Sequence, residues 1–257
     1  MPAIENTVTT KGRPVRLQRK VVERPWGGEI WFTAEEELPL LVKFIYTHEA
    51  LSVQVHPDDD YAAEHHQSRG KTEMWYIVSA APDARIALGF RETMTRDRLT
   101  EAALTGEIEQ ALNWVSPRSG DTFFTPAGTV HAIGAGIELW EIQENSDITY
   151  RLFDYGRGRE LHLQHALEVT NTERLEAGPV PLPVCCQWFC TAMVAFESSM
   201  HYVPDSTRWQ VLIFVKGRGS IAGERFEEGQ VWLVPAGAAA FEIYGERAAE
   251  VLRSWVP

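Results

Sequence analysis

GDTFFTPAGTVH, residues 120–131, carries the pattern G-x5-P-x-G-x2-H, and the same frame returns 109 residues later as GQVWLVPAGAAA, residues 229–240. In each copy a glycine precedes a strand, and a proline ends the strand because it has no N–H for the ladder. A second glycine then permits a tight reversal with positive φ. The first copy ends in His131, which can bind a metal, and the second in Ala240, which cannot. The repeat therefore predicts a duplicated β-barrel with one chemical site.

Short segments rich in β-branched and aromatic residues surround both copies. They predict strands over residues 29–33, 40–47, 52–56, 72–78, 85–89, 122–125 and 137–143, and again over 209–216, 219–222, 230–234 and 240–244. Helical patterns cover only residues 60–66 and 96–113, and Gly106 splits the second. Many short strands with regular turns are typical of an all-β sandwich or barrel, here with a few short helices.

A Gly- and Pro-rich stretch, residues 178–183, marks the best boundary within the chain. We expect residues 1–181 to form an N-terminal, metal-binding catalytic domain. Residues 182–257 contain the second copy of the repeat, and we expect a barrel-like C-terminal domain without a metal site.

Charge and hydropathy exclude several classes of function. The 257 residues carry a net charge of −12, so a basic surface for nucleic acid is not expected. No apolar run approaches the roughly 18–20 residues of a membrane span, and the longest, residues 38–46, is interrupted by Lys43. An acidic total does not exclude an anionic substrate, because a site needs only a few local cations.

The three cysteines are Cys185, Cys186 and Cys190, an odd and tightly clustered set. This pattern disfavours the disulfide scaffold of a secreted protein, and no histidine accompanies it at zinc spacing. We expect reduced thiols in a β-rich core. Together with the lack of a signal-peptide core in residues 1–28, this favours a cytoplasmic location.

Three further side chains can join His131 around a metal ion. Gln54 and His56 are two residues apart, which on a strand places both on one face, and Glu73 lies in the next predicted strand. Two imidazoles, a carboxylate and an amide oxygen suit Zn²⁺ best, with iron, cobalt or manganese as alternatives. A set without thiolates is typical of catalytic sites that keep a position open for water or substrate.

Ordered motifs between Trp26 and Asn171 identify a resemblance to a known family. They read LSVQVHPDD (51–59), GKTEMWY (70–76), PAGTVHA (126–132) and QENSDITYR (143–151), flanked by PWGG (25–28) and RELH (159–162). In this order they resemble the type I mannose-6-phosphate isomerases, or phosphomannose isomerases. One departure is the run WGGEIW (26–31), which fuses two motifs that relatives keep apart, and the large helical insertion of longer relatives is absent.

The resemblance implies a duplicated cupin fold, a jelly-roll β-barrel, and a zinc-dependent interconversion of mannose 6-phosphate and fructose 6-phosphate through an enediolate. By position it implies the metal ligands Gln54, His56, Glu73 and His131, the catalytic residues Arg151 and Lys71, and the substrate-binding residues Ser52 and Lys71, with Ser52 near the phosphate.

The proton-transferring group is open at this stage. Lys71 could act as a base if burial and the nearby cation depressed its pKa. Asp147 is a second candidate, although Asn145–Asp147 is typical of a turn. Arg151 is always charged, which suits charge stabilisation better than proton abstraction.

Two other functional classes compete with the isomerase. One is another cupin metalloenzyme, either a different sugar isomerase or an oxygenase, and the mixed Gln/His/Glu/His set disfavours the oxygenase. The other is a non-catalytic sugar-binding cupin, which Arg151 and Lys71 beside the metal ligands disfavour. The expected partner is a small sugar phosphate, with neither nucleic acid nor membrane, and the sequence predicts no oligomeric state.

Overall fold

The computed structural model describes residues 12–257. The strands in this range are β1 (Val15–Arg16), β2 (Gln18–Arg24), β3 (Gly27–Thr33), β4 (Leu40–Thr47), β5 (Val53–Val55), β6 (Glu73–Ala80), β7 (Ile86–Phe90), β8 (Leu112–Val115), β9 (Thr122–Thr125), β10 (His131–Ile133), β11 (Ile137–Glu144), β12 (Tyr150–Phe153), β13 (Val184–Cys185), β14 (Cys190–Phe196), β15 (Ser199–Tyr202), β16 (Gln210–Lys216), β17 (Arg218–Ile221), β18 (Glu224–Glu227), β19 (Val231–Val234), β20 (Phe241–Gly245) and β21 (Ala249–Trp255). The helices are α1 (Asp59–His66), α2 (Arg96–Thr105), α3 (Ile108–Ala111) and α4 (Leu163–Val169).

The strands form four sheets, two for each copy of the repeat. The first copy lies between a six-stranded sheet, β2-β3-β4-β11-β6-β9, and a five-stranded sheet, β12-β5-β10-β7-β8. The second lies between a six-stranded sheet, β1-β19-β16-β21-β14-β13, and a four-stranded sheet, β15-β20-β17-β18. This paired-sheet arrangement confirms the expected all-β, duplicated jelly-roll architecture.

The described residues divide into two compact units. One contains Lys20–Trp31 and Leu40–Pro181, and the other contains Phe32–Pro39, Leu182–Pro257 and the described part of Met1–Arg19. The start of the chain belongs with the second copy because β1 pairs with β19. In the first unit the core includes the fully buried Trp75 and Phe123, and in the second the corresponding layer includes Phe214.

The repeat adopts the same geometry in both copies. β9 and β19 are each followed by a proline, and the glycine two residues later has positive φ, 83° at Gly128 and 65° at Gly237. The Gly128 N–H donates to the carbonyl oxygen of His56 at 2.8 Å. The first copy of the turn therefore fixes the end of β9 against the segment that carries His56.

The helices are short and support the first unit. α2 ends at Gly106, whose φ of 83° gives the left-handed cap that the sequence predicted as a break. The predicted helix is wrong at residues 112–113, because Leu112 begins β8 and pairs with Phe90. Within residues 12–257 no helix has both the length and the apolar character needed to cross a membrane.

The expectation of three reduced cysteines is wrong for two of them. β13 and β14 pair antiparallel with Cys185 directly opposite Cys190, and these two residues form a disulfide bond. Cys186, the next residue, takes no part in this bond, and its N–H donates to the Phe189 carbonyl oxygen at 2.8 Å. Sequence spacing did not reveal this pairing because it depends on the register of two short strands.

Candidate functional site

The candidate site begins with the register of three neighbouring strands. In the five-stranded sheet, β5 lies between β10 and β12, and Gln54 is opposite His131 on one side and Arg151 on the other. Directly opposed residues project from the same face of a sheet. The register therefore brings an amide, an imidazole and a guanidinium together, although they are far apart in sequence.

Beside this face of the sheet, three side chains come close together: those of His56, Glu73 and His131. His56 Nε2 lies 3.5 Å from Glu73 Oε2, and His131 Nε2 lies 3.4 Å from Glu73 Oε1. All three residues are 1% exposed or less. Within the described residues they are the one group of three histidine, cysteine or acidic side chains whose ligand atoms lie within 4.8 Å of one another.

Hydrogen bonds on the outer nitrogen of each imidazole fix which ring nitrogen carries the proton. His56 Nδ1–H donates to the Ile148 carbonyl oxygen, and His131 Nδ1–H donates to the Thr129 carbonyl oxygen, both at 2.8 Å. A carbonyl accepts but cannot donate, so each ring carries its proton on Nδ1 and presents a lone pair on Nε2. This is the tautomer that a metal ligand requires.

Burial also sets the protonation states. It lowers the pKa of His131 to about 4, and burial beside the Lys71 ammonium lowers the pKa of His56 well below its ordinary value. Burial and the neighbouring Glu141 carboxylate raise the pKa of Glu73 to about 7. Both imidazoles are therefore neutral at pH 7, as ligands must be.

Gln54 and Ser52 form a coupled pair beside the three donors. The Gln54 amide lies 3.2 Å from His131 Nε2, and the other end of the amide lies 3.1 Å from the hydroxyl oxygen of the buried Ser52. Amide oxygen and nitrogen are assigned from hydrogen bonding, and a hydroxyl both donates and accepts. With the amide turned over, its oxygen faces His131 and its nitrogen donates to Ser52.

Lys71 lies at the base of the site. Its Nζ donates to His56 Nε2 at 3.0 Å and pairs with Glu73 Oε2 at 2.8 Å. Although burial lowers it, the carboxylates of Glu141 and Glu73 raise the pKa of Lys71 above its ordinary value. The depressed pKa that a base role requires is therefore not found, and the side chain is an ammonium at neutral pH.

The donor atoms fit a divalent ion. Zinc–nitrogen and zinc–oxygen bonds of about 2.1 Å in a tetrahedron place neighbouring ligand atoms about 3.4 Å apart. Here His131 Nε2 lies 3.4 Å from Glu73 Oε1 and His56 Nε2 lies 3.5 Å from the other carboxylate oxygen, Oε2, so each imidazole is at this spacing from one oxygen of Glu73. Glu73 Oε1 is buried and accepts no hydrogen bond from the described residues, a costly state that a cation would relieve.

A cavity of about 230 Å³ lies next to the donor set, because its lining includes Gln54, which contacts His131, and Lys71, which contacts His56. Its lining residues are Arg24, Trp26, Glu29, Lys43, Ile45, Leu51, Gln54, Lys71, Glu141, Asp147, Thr149, Arg151, Arg159 and His162. A larger cavity of about 660 Å³ beside α2 and α3 is lined by none of the expected ligands, so we assign the chemistry to the smaller one.

Arg151 and Asp147 both line this cavity. The Arg151 Nε–H donates to the Glu160 carbonyl oxygen at 2.9 Å, and within the described residues no carboxylate lies within 4.0 Å of its guanidinium. Burial and the neighbouring Arg159 lower the pKa of Arg151, but a guanidinium stays charged at neutral pH. Asp147 is exposed in the turn before β12.

Two buried charges beneath the cavity were missed from the sequence. Glu141 Oε1 lies 3.3 Å from Lys43 Nζ and 3.9 Å from Lys71 Nζ, while Glu141 Oε2 accepts from the Trp75 indole at 3.2 Å. Glu141 and Lys43 are directly opposite each other on β11 and β4. The signal was present as a single lysine within the apolar β4 and as one of three glutamates on β11, and the pairing of opposite signs was the missing step.

Glu144 holds the segment that carries Lys71 and Glu73 through two hydrogen bonds to the backbone of Thr72. Its Oε1 accepts from the Thr72 N–H at 2.8 Å, and its own N–H donates to the Thr72 carbonyl oxygen at 3.1 Å. Burial, reinforced by the nearby Asp59 carboxylate, raises the pKa of Glu144 to about 8. Folding therefore keeps this carboxyl protonated at neutral pH.

The raised pKa of Glu144 predicts how the stability of the folded protein changes with pH. Because the folded pKa of Glu144 lies above the ordinary 4.5, its stabilising effect is complete below about pH 4.5 and is lost as the pH rises through about 8. Between pH 5.5 and 8 we expect the free energy of unfolding of the wild type to fall by about 1–3 kcal/mol more than that of Glu144→Gln. Urea unfolding at both pH values measures this difference.

The control is Glu138→Gln, which changes an exposed carboxylate on the same strand that accepts from the Ser79 hydroxyl. This variant should follow the wild type at both pH values. If the free energy of unfolding changed with pH equally in the wild type and in Glu144→Gln, the assignment of a proton to Glu144 in the folded protein would be contradicted.

Comparisons with known proteins agree with the site. The profile of the type I phosphomannose isomerase catalytic domain matches residues 15–94. Mannose-6-phosphate isomerase ManA of Bacillus subtilis is 36% identical over 232 residues, which is 82% of this chain and 73% of that protein. Mannose-6-phosphate isomerase of Streptococcus mutans is 42% identical over 137 residues, 51% of this chain and 43% of that protein.

The fold is also shared with a solved structure. The crystal structure of mannose 6-phosphate isomerase from Bacillus subtilis superposes with a TM-score of 0.85 at 23% identity and covers 94% of this chain and 99% of that one. At this identity the similarity establishes the architecture, a duplicated barrel of the cupin type.

Proposed function

This chain belongs to the type I phosphomannose isomerase family, and we propose that it interconverts mannose 6-phosphate and fructose 6-phosphate. The activity is an aldose–ketose isomerisation, in which a proton moves between C1 and C2 of the sugar through an enediolate.

One observation supports this function most strongly. The buried donors His56, Glu73 and His131 meet beside Gln54 and Lys71, which line a cavity whose walls also carry arginine side chains. The donors suit a Lewis-acidic ion and the walls suit an anion, and a sugar phosphate requires both.

We propose Zn²⁺ as the ion, held by the Nε2 atoms of His56 and His131, the Glu73 carboxylate and the Gln54 amide oxygen. Neutral imidazoles and one carboxylate are the usual ligands of catalytic zinc. When bound, the ion supplies a Lewis acid that polarises the sugar carbonyl and stabilises negative charge on the sugar oxygens.

The chain's own side chains orient the sugar and stabilise its charge. Arg151 presents N–H donors to the oxygen on which negative charge develops, and because the guanidinium is held at Glu160 it needs little reorganisation. Lys71 presents a second positive charge at the base of the cavity, where it binds substrate. Ser52 supports the site through the Gln54 amide, and the buried Trp26 helps to exclude water.

We propose that the catalytic domain lies within residues 1–181 and that residues 182–257, to whose sheet β1 adds a strand, form a second barrel without a metal site. All the cavity-lining residues lie between Arg24 and His162, and Ala240 stands where the first copy has His131. A cytoplasmic location suits the substrate, because the charge of a sugar phosphate keeps it from crossing a bilayer.

The test is metal removal and replacement. Treating the purified protein with a chelator is expected to lower the formation of fructose 6-phosphate from mannose 6-phosphate by at least about 100-fold, and about one equivalent of Zn²⁺ per chain should restore it. Metal content and circular dichroism are measured on the same samples.

Parallel assays separate the competing functions. Oxygen consumption without sugar isomerisation would indicate an oxygenase, and turnover of other sugar phosphates alone would indicate a different isomerase. A folded, zinc-loaded sample that does not turn over mannose 6-phosphate would refute the proposed function.

A further inference from the structure

The cavity concentrates positive charge in an acidic protein. The chain has a net charge of −12, yet five cationic side chains line the cavity against three carboxylates. The cations are Arg24, Lys43, Lys71, Arg151 and Arg159, and the carboxylates are Glu29, Glu141 and Asp147. This local excess selects an anion and raises the question of which side chain binds the phosphate.

The base of the cavity is already committed. Lys71 Nζ lies 2.8 Å from Glu73 Oε2 and 3.9 Å from Glu141 Oε1, and Lys43 Nζ lies 3.3 Å from the same Glu141 oxygen. Ser52 is not among the residues that line the cavity. The phosphate, at the opposite end of the sugar from the reacting carbons, therefore has to be met by the guanidinium groups.

Arg159 is held in place by the carboxylate of Asp154. Its Nε–H donates to Asp154 Oδ2 at 2.8 Å, and its Nη2 pairs with Asp154 Oδ1, so both carboxylate oxygens are engaged. The Asp154 side chain is only 3% exposed, which makes the pair a fixed part of the wall. Moving Arg159 onto a ligand would break both of its hydrogen bonds to a buried carboxylate and leave that carboxylate only Arg157, whose Nη2 lies 2.9 Å from Asp154 Oδ1, a costly change.

Arg24 is differently placed. Within the described residues a single N–H of its guanidinium is engaged, Nη2 to Glu29 Oε2 at 3.0 Å, and that oxygen is shared with the Trp31 indole N–H at 2.5 Å. The Arg24 side chain is 30% exposed, while that of Glu29 is 9% exposed. The guanidinium is thus oriented by one buried contact and keeps most of its donors for a ligand.

We propose that Arg24 binds the phosphate group of the substrate and makes the enzyme selective for phosphorylated sugars, an inference that rests on the proposed function. A planar guanidinium can donate two parallel hydrogen bonds to phosphate oxygens, which a lysine cannot do. Arg24 ends β2, immediately before the WGGEIW run in which this chain departs from the family pattern. The short N-terminal strand therefore supplies a wall of the pocket.

The experiment compares the zinc-loaded full chain with four variants. Arg24→Gln is expected to raise the KM for mannose 6-phosphate about 10- to 50-fold and to change kcat less than about 3-fold, because the contact is equal in ground and transition states. Arg24→Lys should restore part of the loss. Metal content should equal that of the wild type in both.

Two matched controls separate recognition from structure. Lys20→Gln removes a cation from the same strand, where Lys20 Nζ lies 5.6 Å from the Trp31 ring centre. Glu29→Gln removes the carboxylate that orients Arg24. Lys20→Gln should keep KM within about 3-fold of the wild type. Glu29→Gln should raise KM by less than Arg24→Gln does, because the guanidinium keeps its charge and loses only the contact that orients it. An equal rise in KM for Glu29→Gln and Arg24→Gln would show a structural role and overturn the proposal.

Calorimetric titration with fructose 6-phosphate and with fructose tests the contact without turnover. The affinity for fructose 6-phosphate should fall at least 10-fold in Arg24→Gln, and that for fructose should not change. If the wild type turns over mannose 6-phosphate but Arg24→Gln matches it in KM and affinity, the proposal fails and the function stands. If the wild type binds fructose 6-phosphate through Arg24 but does not isomerise, the function fails and the contact stands.

Discussion

Replacing His131 with Ala is expected to abolish metal binding and to lower kcat/KM for mannose 6-phosphate by at least about 1000-fold. His131 Nε2 lies 3.4 Å from Glu73 Oε1, and its Nδ1 is held by the Thr129 carbonyl, so a pre-oriented donor is lost. A catalytic zinc site needs about three protein ligands, and a set reduced in this way binds the ion far more weakly.

The substitution has to be distinguished from unfolding. His131 is 1% exposed, and truncation leaves a void that costs some stability. Metal content per chain and circular dichroism are therefore measured together with activity. His201→Ala is the control, because His201 is an exposed histidine of the second barrel that pairs with Glu242 at 2.6 Å. One zinc ion per folded His131→Ala chain would refute the ligand assignment.

The architecture was predictable because its signals are local. A proline that cannot join a ladder and glycines that accept positive φ fix the turns around β9 and β19 wherever the rest of the chain lies. The same chemistry placed the break at Gly106. Repeating one turn in two places was enough to predict two barrels.

The ligand candidates were also accessible, for a different reason. The spacing of two between Gln54 and His56 has a fixed meaning on a strand, and His131 follows a turn whose form was known. The meeting of His56 and His131 with Glu73 depends on strand pairings, and the spacing of residues along the sequence does not reveal them. The resemblance supplied that step, and the structure brings His56, Glu73 and His131 together.

Features that depend on long-range register were missed. Lys43 and Glu141 are opposite each other on β4 and β11, nearly 100 residues apart in sequence, and each alone is an ordinary charge. The pairing of β1 with β19 has the same origin. The Cys185–Cys190 bond was missed for a local reason, the register of two short neighbouring strands. The alternation of polar and apolar residues predicts which face of a strand is buried, but it does not predict which strand lies beside it.

The second large effect concerns Arg151. We expect Arg151→Ala to lower kcat by about 100- to 1000-fold, the cost of losing one well-placed donor to a developing oxyanion, and to keep one metal ion per chain. Arg151 is opposite Gln54 in the sheet but contributes no atom to the His56, Glu73 and His131 donor set. In this variant we therefore expect the stabilisation of negative charge on the substrate to be lost while metal binding is kept.

A change in kcat with little change in KM identifies an interaction made in the transition state. This pattern is the reverse of that expected for Arg24→Gln, although both guanidinium groups line the same cavity. Steady-state kinetics on the two zinc-loaded variants, at the same pH and ionic strength, measures the contrast directly.

Two further variants make the Arg151 result specific. Arg151→Lys keeps the positive charge but loses the planar guanidinium with its paired N–H donors. Its kcat should therefore lie between those of the wild type and Arg151→Ala. Arg174→Ala removes an exposed arginine paired with Glu176, and it should behave as the wild type. Loss of zinc from Arg151→Ala would place the guanidinium in the metal centre, and a kcat within about 3-fold of the wild type would leave charge stabilisation to other groups.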